Sequence, residues 1–215
     1  MAIASKLMSI GIIAVSLAVG FISFYLLSDH SKEIKKIHLE EITSQIINFV
    51  LFIWLGKIIL NLRLFISDPL SVLAYPSDSK AFYFAIVLVG LLLLYKSKRK
   101  NMNALPLLES FVYIFLIASF IYEFIQFVVV NNTYALSYLI LLSVLIGINI
   151  FLKERISTTM LLMTVITVWS LGIILLGFIQ PFVTVFGYMM EPGFVGVFFV
   201  LSMSSLIYKF RKRDA

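Results

Sequence analysis

Three ionisable side chains other than tyrosine interrupt the long apolar stretches of this sequence. Lys57 lies in the second stretch, and Glu109 and Glu123 lie in the fourth. An ionisable group at membrane depth costs several kcal/mol unless it is paired or hydrated, so each one marks a candidate functional position. Glu109 lies within about one helical turn of the predicted inner interface and can reach water. Lys57 and Glu123 both fall in the outer half of their stretches.

Polar residues gather around Glu123 in the fourth stretch. Glu123 and Gln126 share a helix face with Tyr122 beside them, and Lys57 and Arg63 reach the same level from the second stretch. We predict that these five residues bind a ligand and that Glu123 is a candidate catalytic acid or base. A structural ion pair between Lys57 and Glu123 is the simpler alternative and needs no catalysis.

The sequence predicts no metal site and no cofactor. His30 and His38 stand among glutamates, but they lack an HxxxH or HExxH spacing, so a solvated charged loop is the better interpretation. No cysteine occurs, which excludes a thiolate metal site, a disulfide and a thiol nucleophile. The GxSxG, P-loop and GxGxxG motifs are absent as well.

The composition indicates that lipid surrounds most of the chain. Hydrophobic residues make up 61% of the 215 residues and charged residues only 13%, against about 25% in soluble domains. Apolar runs of about 20 residues recur with short gaps between them, which leaves no room for a separate soluble domain. We predict one polytopic transmembrane domain over residues 1–215, an all-α integral membrane protein of about seven transmembrane helices.

The predicted spans follow one another with little between them. They are Leu7–Leu27, Ile42–Leu62, Ala81–Tyr95, Leu105–Val130, Tyr134–Leu152, Thr158–Phe178 and Gly193–Tyr208. The third and seventh are short, so they must stand nearly upright or include flanking residues.

The basic residues predict the orientation of these spans. Alternate connections hold 13 of the 17 Lys and Arg residues, namely Lys32, Lys35, Lys36, Lys96, Lys98, Arg99, Lys100, Lys153, Arg155, Lys209, Arg211, Lys212 and Arg213. Because basic connections stay in the cytoplasm, the N-terminus is predicted outside and the C-terminus inside. The net charge of +6 then needs no nucleic-acid partner to explain it.

Two of the predicted outer connections are themselves apolar. Residues Arg63–Ser79 and Ile179–Pro192 contain few charges, yet each is too short to span a bilayer. They lie in the outer interface, fold back onto the helices or simply cap the helix ends. The sequence leaves these three interpretations open.

Several segments resemble the prolipoprotein diacylglyceryl transferases, bacterial membrane enzymes that move diacylglycerol from phosphatidylglycerol to a lipoprotein cysteine. The resemblance lies in the order of a charged turn and glycine-containing helix, an outer segment and a basic turn. The segments are KIHLEEITSQIINFVLFIWLGKIILNL, DPLSVLAYPS and GLLLLYKSKRKNMNALPLLESFVYIFLIASF. The resemblance implies a multi-pass protein of the bacterial plasma membrane, with phospholipid and a lipoprotein or another membrane protein as partners.

The diagnostic motifs of that family are replaced here. At the position of a GRxGNF-like signature the chain reads Tyr122-Glu123-Phe124-Ile125-Gln126-Phe127, and Glu123 stands in place of the arginine. A carboxylate there repels the lipid phosphate that an arginine would hold. No histidine follows His38, so the family's HGG motif has no counterpart.

The sequence thus predicts a degenerate relative that binds lipid or a membrane polypeptide from the outer leaflet without the transfer reaction. Two alternatives stay open. One is an active but divergent lipid-modifying or lipoprotein-modifying transferase that uses Glu123. The other is a small-solute transporter or an accessory subunit of a larger membrane complex.

The predicted orientation can be tested with single cysteines, since the chain has none of its own. In intact cells, Ser31→Cys and Asp214→Cys should resist an impermeant thiol reagent because both positions are predicted to be cytoplasmic. Thr133→Cys, in a predicted outer connection, should label. Labelling of both Ser31→Cys and Asp214→Cys would contradict the orientation.

Overall fold

A computed structural model describes residues 2–74, 79–100 and 103–213, with side chains described for 7–72, 79–99 and 103–208. Tyr75, within the predicted outer segment, and Asp214, used in the labelling test, lie outside the described residues.

The described chain is almost entirely helical. Its helices are α1 (Ala2–Leu27), α2 (Lys32–Leu60), α3 (Leu62–Ser67), α4 (Pro69–Ala74), α5 (Ser79–Lys100), α6 (Ala104–Val128), α7 (Ala135–Leu152), α8 (Thr158–Ile179) and α9 (Pro192–Arg213). Two short strands, β1 (Thr184–Val185) and β2 (Tyr188–Met189), form an antiparallel hairpin between α8 and α9. The strict all-α prediction therefore misses this hairpin.

Among the described residues, six helices are long and apolar enough to cross a membrane: α1, α2, α5, α6, α7 and α8. In α9 the apolar part is the shorter stretch Pro192–Tyr208. This architecture fits an all-α multi-pass membrane protein. The count of seven spans and their orientation stay predictions.

Large apolar side chains cover the outside of these helices. Leu26 is 69% exposed, Ile150 is 64% exposed and Val200 is 60% exposed. Contiguous apolar surface of this extent would drive a water-soluble protein to aggregate. The same surface needs no protein cover when it faces the acyl chains of a bilayer.

Several helices extend beyond the predicted spans, and α2 and α5 do so into charged flanks. Helix α2 starts at Lys32, where the sequence predicts a charged turn before Ile42, and α5 runs on to Lys100 instead of ending near Tyr95. On this charged flank of α2, an exposed Lys36–Glu40 pair, 3.9 Å apart and one turn apart in sequence, adds a small contribution to helix stability. The short third span thus includes its basic flank, which is one of the two outcomes that its length allowed.

By its internal packing the chain divides into two compact units. One consists of Met1–Ser31 with Leu108–Ala215, and the other consists of Lys32–Leu107. For convenience they are named the Glu123 unit and the Lys57 unit. The assignment of one domain to the whole chain stays a prediction.

The Lys57 unit is held by contacts between α2 and α5. Lys96 Nζ donates to Glu41 Oε1 at 2.6 Å, and Gln45 Nε2 donates to the same oxygen at 2.5 Å. Toward the other end Phe49 and Phe82 pack edge to face with their ring centroids 5.3 Å apart. Because both partners of the Glu41–Lys96 pair are largely covered, the pair fixes how α2 and α5 align more firmly than a surface pair does.

The Glu123 unit combines α1 with α6 to α9. A Cβ built on Gly20 of α1 would lie 2.8 Å from the Ile114 carbonyl oxygen of α6, so only glycine allows the two backbones this approach. Thr167 of α8 and Ser202 of α9 share a hydrogen bond of 3.0 Å. Lys153, after α7, pairs with Asp29, after α1, at 2.5 Å, which places these two connections at the same end of the unit.

Because α1 approaches α6 closely at only one of its glycines, replacing a glycine of α1 by alanine should have different effects at Gly20 and Gly11. Gly20→Ala should lower the free energy of unfolding by roughly 1–3 kcal/mol, because the added methyl meets backbone that cannot move aside cheaply. Gly11→Ala is the control, since no atom of the described residues lies within 4 Å of its Cβ position, and it should be neutral or slightly stabilising. The measurement is thermal unfolding in detergent. Equal effects of the two variants would contradict the packing of α1 on α6.

Candidate functional site

The site is built on one face of α6 within the Glu123 unit. Ser119, Tyr122 and Glu123 are spaced at i, i+3 and i+4, which brings them to one side of the helix. Ser119 is 2% exposed, Tyr122 5% and Glu123 3%. Gln126, one turn further, is half-buried, and the Tyr122 hydroxyl lies near its side chain. Three of the predicted ligand-binding residues, Tyr122, Glu123 and Gln126, therefore do stand together.

The Glu123 carboxyl has an unsatisfied oxygen. Its Oε1 atom is fully covered, yet no atom of the described residues donates a hydrogen bond to it. Within the described part of its own unit, no lysine, arginine or histidine forms an ion pair with Glu123. Buried acceptors without a partner are rare in proteins because each one loses its hydration without replacement. An unsatisfied carboxyl oxygen is thus the outstanding chemical feature of this face.

A second unsatisfied oxygen lies one turn away. The Ser119 Oγ atom is also covered, and no described atom completes a hydrogen bond with it at ordinary geometry. Most buried helical serines bond to the carbonyl four residues earlier, as Ser16 does to Ile12 at 2.7 Å. Ser119 departs from this habit, and the Tyr138 hydroxyl of α7 is the polar group that lies near its oxygen.

Aromatic side chains from α7 and α8 stand beside these oxygens. Tyr138 of α7 is 2% exposed, and its hydroxyl accepts a hydrogen bond of 3.0 Å from Trp169 Nε1 of α8. That hydroxyl lies near the Ser119 side chain of α6, about at hydrogen-bonding reach, and Glu123 of α6 is a charged neighbour. Three helices therefore contribute to one polar cluster with aromatic walls.

The hairpin between α8 and α9 has an unusual turn. Its two-residue loop, Phe186-Gly187, has φ values of +49° and +83°, the positive signs that a type I′ turn requires. Gly187 adopts this region freely, but a phenylalanine there is strained. Such strain persists only where surrounding contacts hold the residue in place.

Those contacts come from the site helix. The Phe186 ring packs on Tyr122 with centroids 5.3 Å apart and on Phe115 with centroids 5.9 Å apart. Phe182, before the hairpin, meets Tyr134 at the start of α7 at 5.3 Å. Of the three interpretations of segment Ile179–Pro192, the structure thus supports folding back onto the helices of its own unit.

The other predicted outer segment also departs from a simple loop. It forms the short helices α3 and α4, where Ser71 donates its backbone N–H to Asp68 Oδ1 at 3.1 Å. Arg63 is exposed on α3. Lys57 is buried in α2 with 7% of its surface exposed. Both belong to the Lys57 unit, so their part in a site with Glu123, and the Lys57–Glu123 ion pair, stay predictions.

Four residues of the cluster escape sequence reasoning: Ser119, Tyr138, Trp169 and Phe186. Ser119 carries a usable signal, because it lies four positions before Glu123 on a helix already predicted. The Phe186-Gly187 pair also carries a weak turn signal. Tyr138 and Trp169 carry none, since only the packing of α7 and α8 brings them to α6.

This arrangement can accept hydrogen bonds and neutralise a positive charge. Among the described residues, no group of three histidine, cysteine or acidic side chains is placed to hold a metal ion. Searches of family models, of curated proteins and of solved structures find no match to this chain.

The packing of the hairpin predicts that Phe186 anchors it. Phe186→Ala should lower the free energy of unfolding by about 2 kcal/mol, less than the roughly 3–5 kcal/mol for a fully buried phenylalanine, because this ring is only partly covered. It should also speed proteolysis within residues 180–191. Phe178→Ala is the matched control, since Phe178 is 84% exposed at the end of α8. Unchanged melting and proteolysis of Phe186→Ala would contradict the anchoring role.

Proposed function

We propose that this chain is a multi-pass protein of the bacterial plasma membrane that binds a lipid, or a lipid-modified or membrane polypeptide, from the outer leaflet. The observation that carries the proposal is the covered Glu123 oxygen without a partner, beside an apolar hairpin. A ligand that donates hydrogen bonds would satisfy this oxygen. When no ligand is bound, the buried Glu123 carboxyl would then destabilise the folded protein.

The position of Glu123 supports a ligand that comes from the membrane surface. Glu123 lies five residues before the end of α6, which corresponds to about 7.5 Å along the helix axis. That depth suits a lipid headgroup or the membrane-proximal part of a polypeptide. The predicted orientation puts this end of α6 in the outer leaflet.

The resemblance to prolipoprotein diacylglyceryl transferases is part of the same proposal. The scaffold would be shared, while the transfer reaction would be lost. Glu123 in place of the arginine removes the charge that holds a phosphate, and both histidines precede α6. A lipoprotein or another membrane protein is then a partner to bind and not a substrate to modify.

Catalysis with Glu123 as acid or base stays the first alternative, because a carboxyl in an apolar setting is the usual choice for that work. Transport is the second. Transporters commonly bind their substrates at broken helices, whereas α1 and α5 to α8 are each continuous over their described lengths. The geometry therefore favours binding.

Binding can be tested through the thermal stability of the purified protein. A bacterial polar lipid extract should raise the melting temperature of the detergent-solubilised protein, because a ligand of the folded state stabilises it. Glu123→Gln should melt at nearly the same temperature without lipid and should lose most of this rise. Glu109→Gln, on the same helix but outside the cluster, should keep it.

A structural Lys57–Glu123 ion pair predicts a different pattern. Lys57→Met and Glu123→Gln would each lower the melting temperature without lipid, and the double variant would recover part of the loss. That pattern, or the absence of any response to lipid in the unchanged protein, would contradict the proposal.

A further inference from the structure

The two buried oxygens of the cluster belong to side chains one helical turn apart, which is a separation that one donor group can bridge. Glu123 and Ser119 stand four residues apart on α6, which separates their Cβ atoms by about 5–6 Å on one helix face. A nitrogen between them can reach both oxygens at ordinary hydrogen-bond lengths of about 2.8 Å. No atom of the described residues donates to Glu123 Oε1, and Ser119 Oγ has only the nearby Tyr138 hydroxyl, which does not reach ordinary hydrogen-bond geometry.

We propose that Glu123 and Ser119 form a binding site for a primary ammonium group, as carried by a phosphatidylethanolamine headgroup. This inference rests on the proposed function and names the lipid chemistry that the site selects. An ammonium brings three N–H donors and one positive charge. Two donors satisfy the two oxygens, and the charge neutralises the carboxylate.

The aromatic residues around the oxygens fit the same ligand. Tyr122 and Phe186 pack together on one side, and Tyr138 with its Trp169 partner stands on the other helices of the unit. Aromatic rings attract cations through their electron-rich faces, and sites for amine headgroups are commonly lined in this way. The rings also exclude water, which strengthens the charge-assisted hydrogen bonds.

Other ligand classes match these contacts less well. A phosphate or carboxylate would be repelled by Glu123, since no described cation of the unit pairs with that residue. A purely apolar ligand would leave both oxygens unsatisfied. A free small amine shares the ammonium chemistry, so the experiment separates it from the lipid.

The hairpin provides a route for the ligand. It consists of two residue pairs, Thr184 with Met189 and Val185 with Tyr188, and its strained Phe186 contacts the residue next to Glu123. Lifting the hairpin would open the end of α6 without breaking a helix. The strain at Phe186 lowers the cost of that movement.

The test compares lipids with and without a primary ammonium group in the headgroup. The full-length protein in detergent is titrated with short-chain phosphatidylethanolamine, with its N-acetylated form and with phosphatidylglycerol of the same chains, and thermal stability reports binding. The primary amine should bind at least about tenfold more tightly than either comparison lipid, because each lacks the ammonium that pairs with Glu123. Glu123→Gln should remove this preference and Ser119→Ala should reduce it, while Glu109→Gln should retain it.

The other possible outcomes separate the ammonium site from lipid binding in general. Equal affinity for the three lipids would overturn the ammonium site and leave lipid binding in place. No binding of any lipid, together with binding of methylammonium alone, would keep the ammonium site and overturn the membrane ligand. No binding of lipid or methylammonium would overturn both, and a proton or the predicted ion pair with Lys57 would then neutralise Glu123.

Discussion

A carboxyl group inside packed apolar helices must be neutralised by a proton, a protein cation or a ligand. Glu123 meets this constraint on the face of α6 that also carries Ser119 and Tyr122. Its covered oxygen accepts no hydrogen bond from the described residues. The placement of α7, α8 and the hairpin around α6 makes the constraint severe, because each of them adds apolar cover close to the same residue. In the proposed function, a bound ligand offsets the free-energy cost of burying the Glu123 carboxyl.

The hairpin between α8 and α9 packs against the helix face that carries Glu123. Phe186 keeps a backbone conformation that phenylalanine rarely adopts, and its ring contacts Tyr122 and Phe115 in return. Gly187 follows in the turn, where its own Cβ position lies 3.3 Å from the Tyr122 hydroxyl. The turn and the site face of α6 therefore depend on each other. A movement of the hairpin would change the surroundings of Glu123 directly.

Much of the helical architecture could be predicted from the sequence, because long apolar runs have few alternatives in a bilayer. Leu7–Leu27 and Thr158–Phe178 are helical as predicted, and Tyr134–Leu152 differs from α7 by one residue. Where charges flank an apolar run the predicted span is too short, since Lys32–Glu41 is helical at the start of α2 and α5 continues past Tyr95 to Lys100. The polar face formed by Tyr122, Glu123 and Gln126 could be predicted from the sequence because all three residues belong to one helix. The contributions of Tyr138, Trp169 and Phe186 could not be predicted, because sequence periodicity does not show which helices pack together.

In the proposed site, the Glu123 carboxyl is satisfied by an ammonium group that the protein itself does not supply. Solid-state NMR in bilayers can measure this directly, with ¹³C-labelled glutamate in the protein and ¹⁵N in the ethanolamine headgroup of the lipid. The account predicts a short-range ¹³C–¹⁵N contact between a glutamate carboxyl and the lipid nitrogen that disappears in Glu123→Gln and persists in Glu109→Gln. A Glu123 carboxyl whose nearest nitrogen is Lys57 Nζ, or one that is protonated with no headgroup nearby, would contradict it.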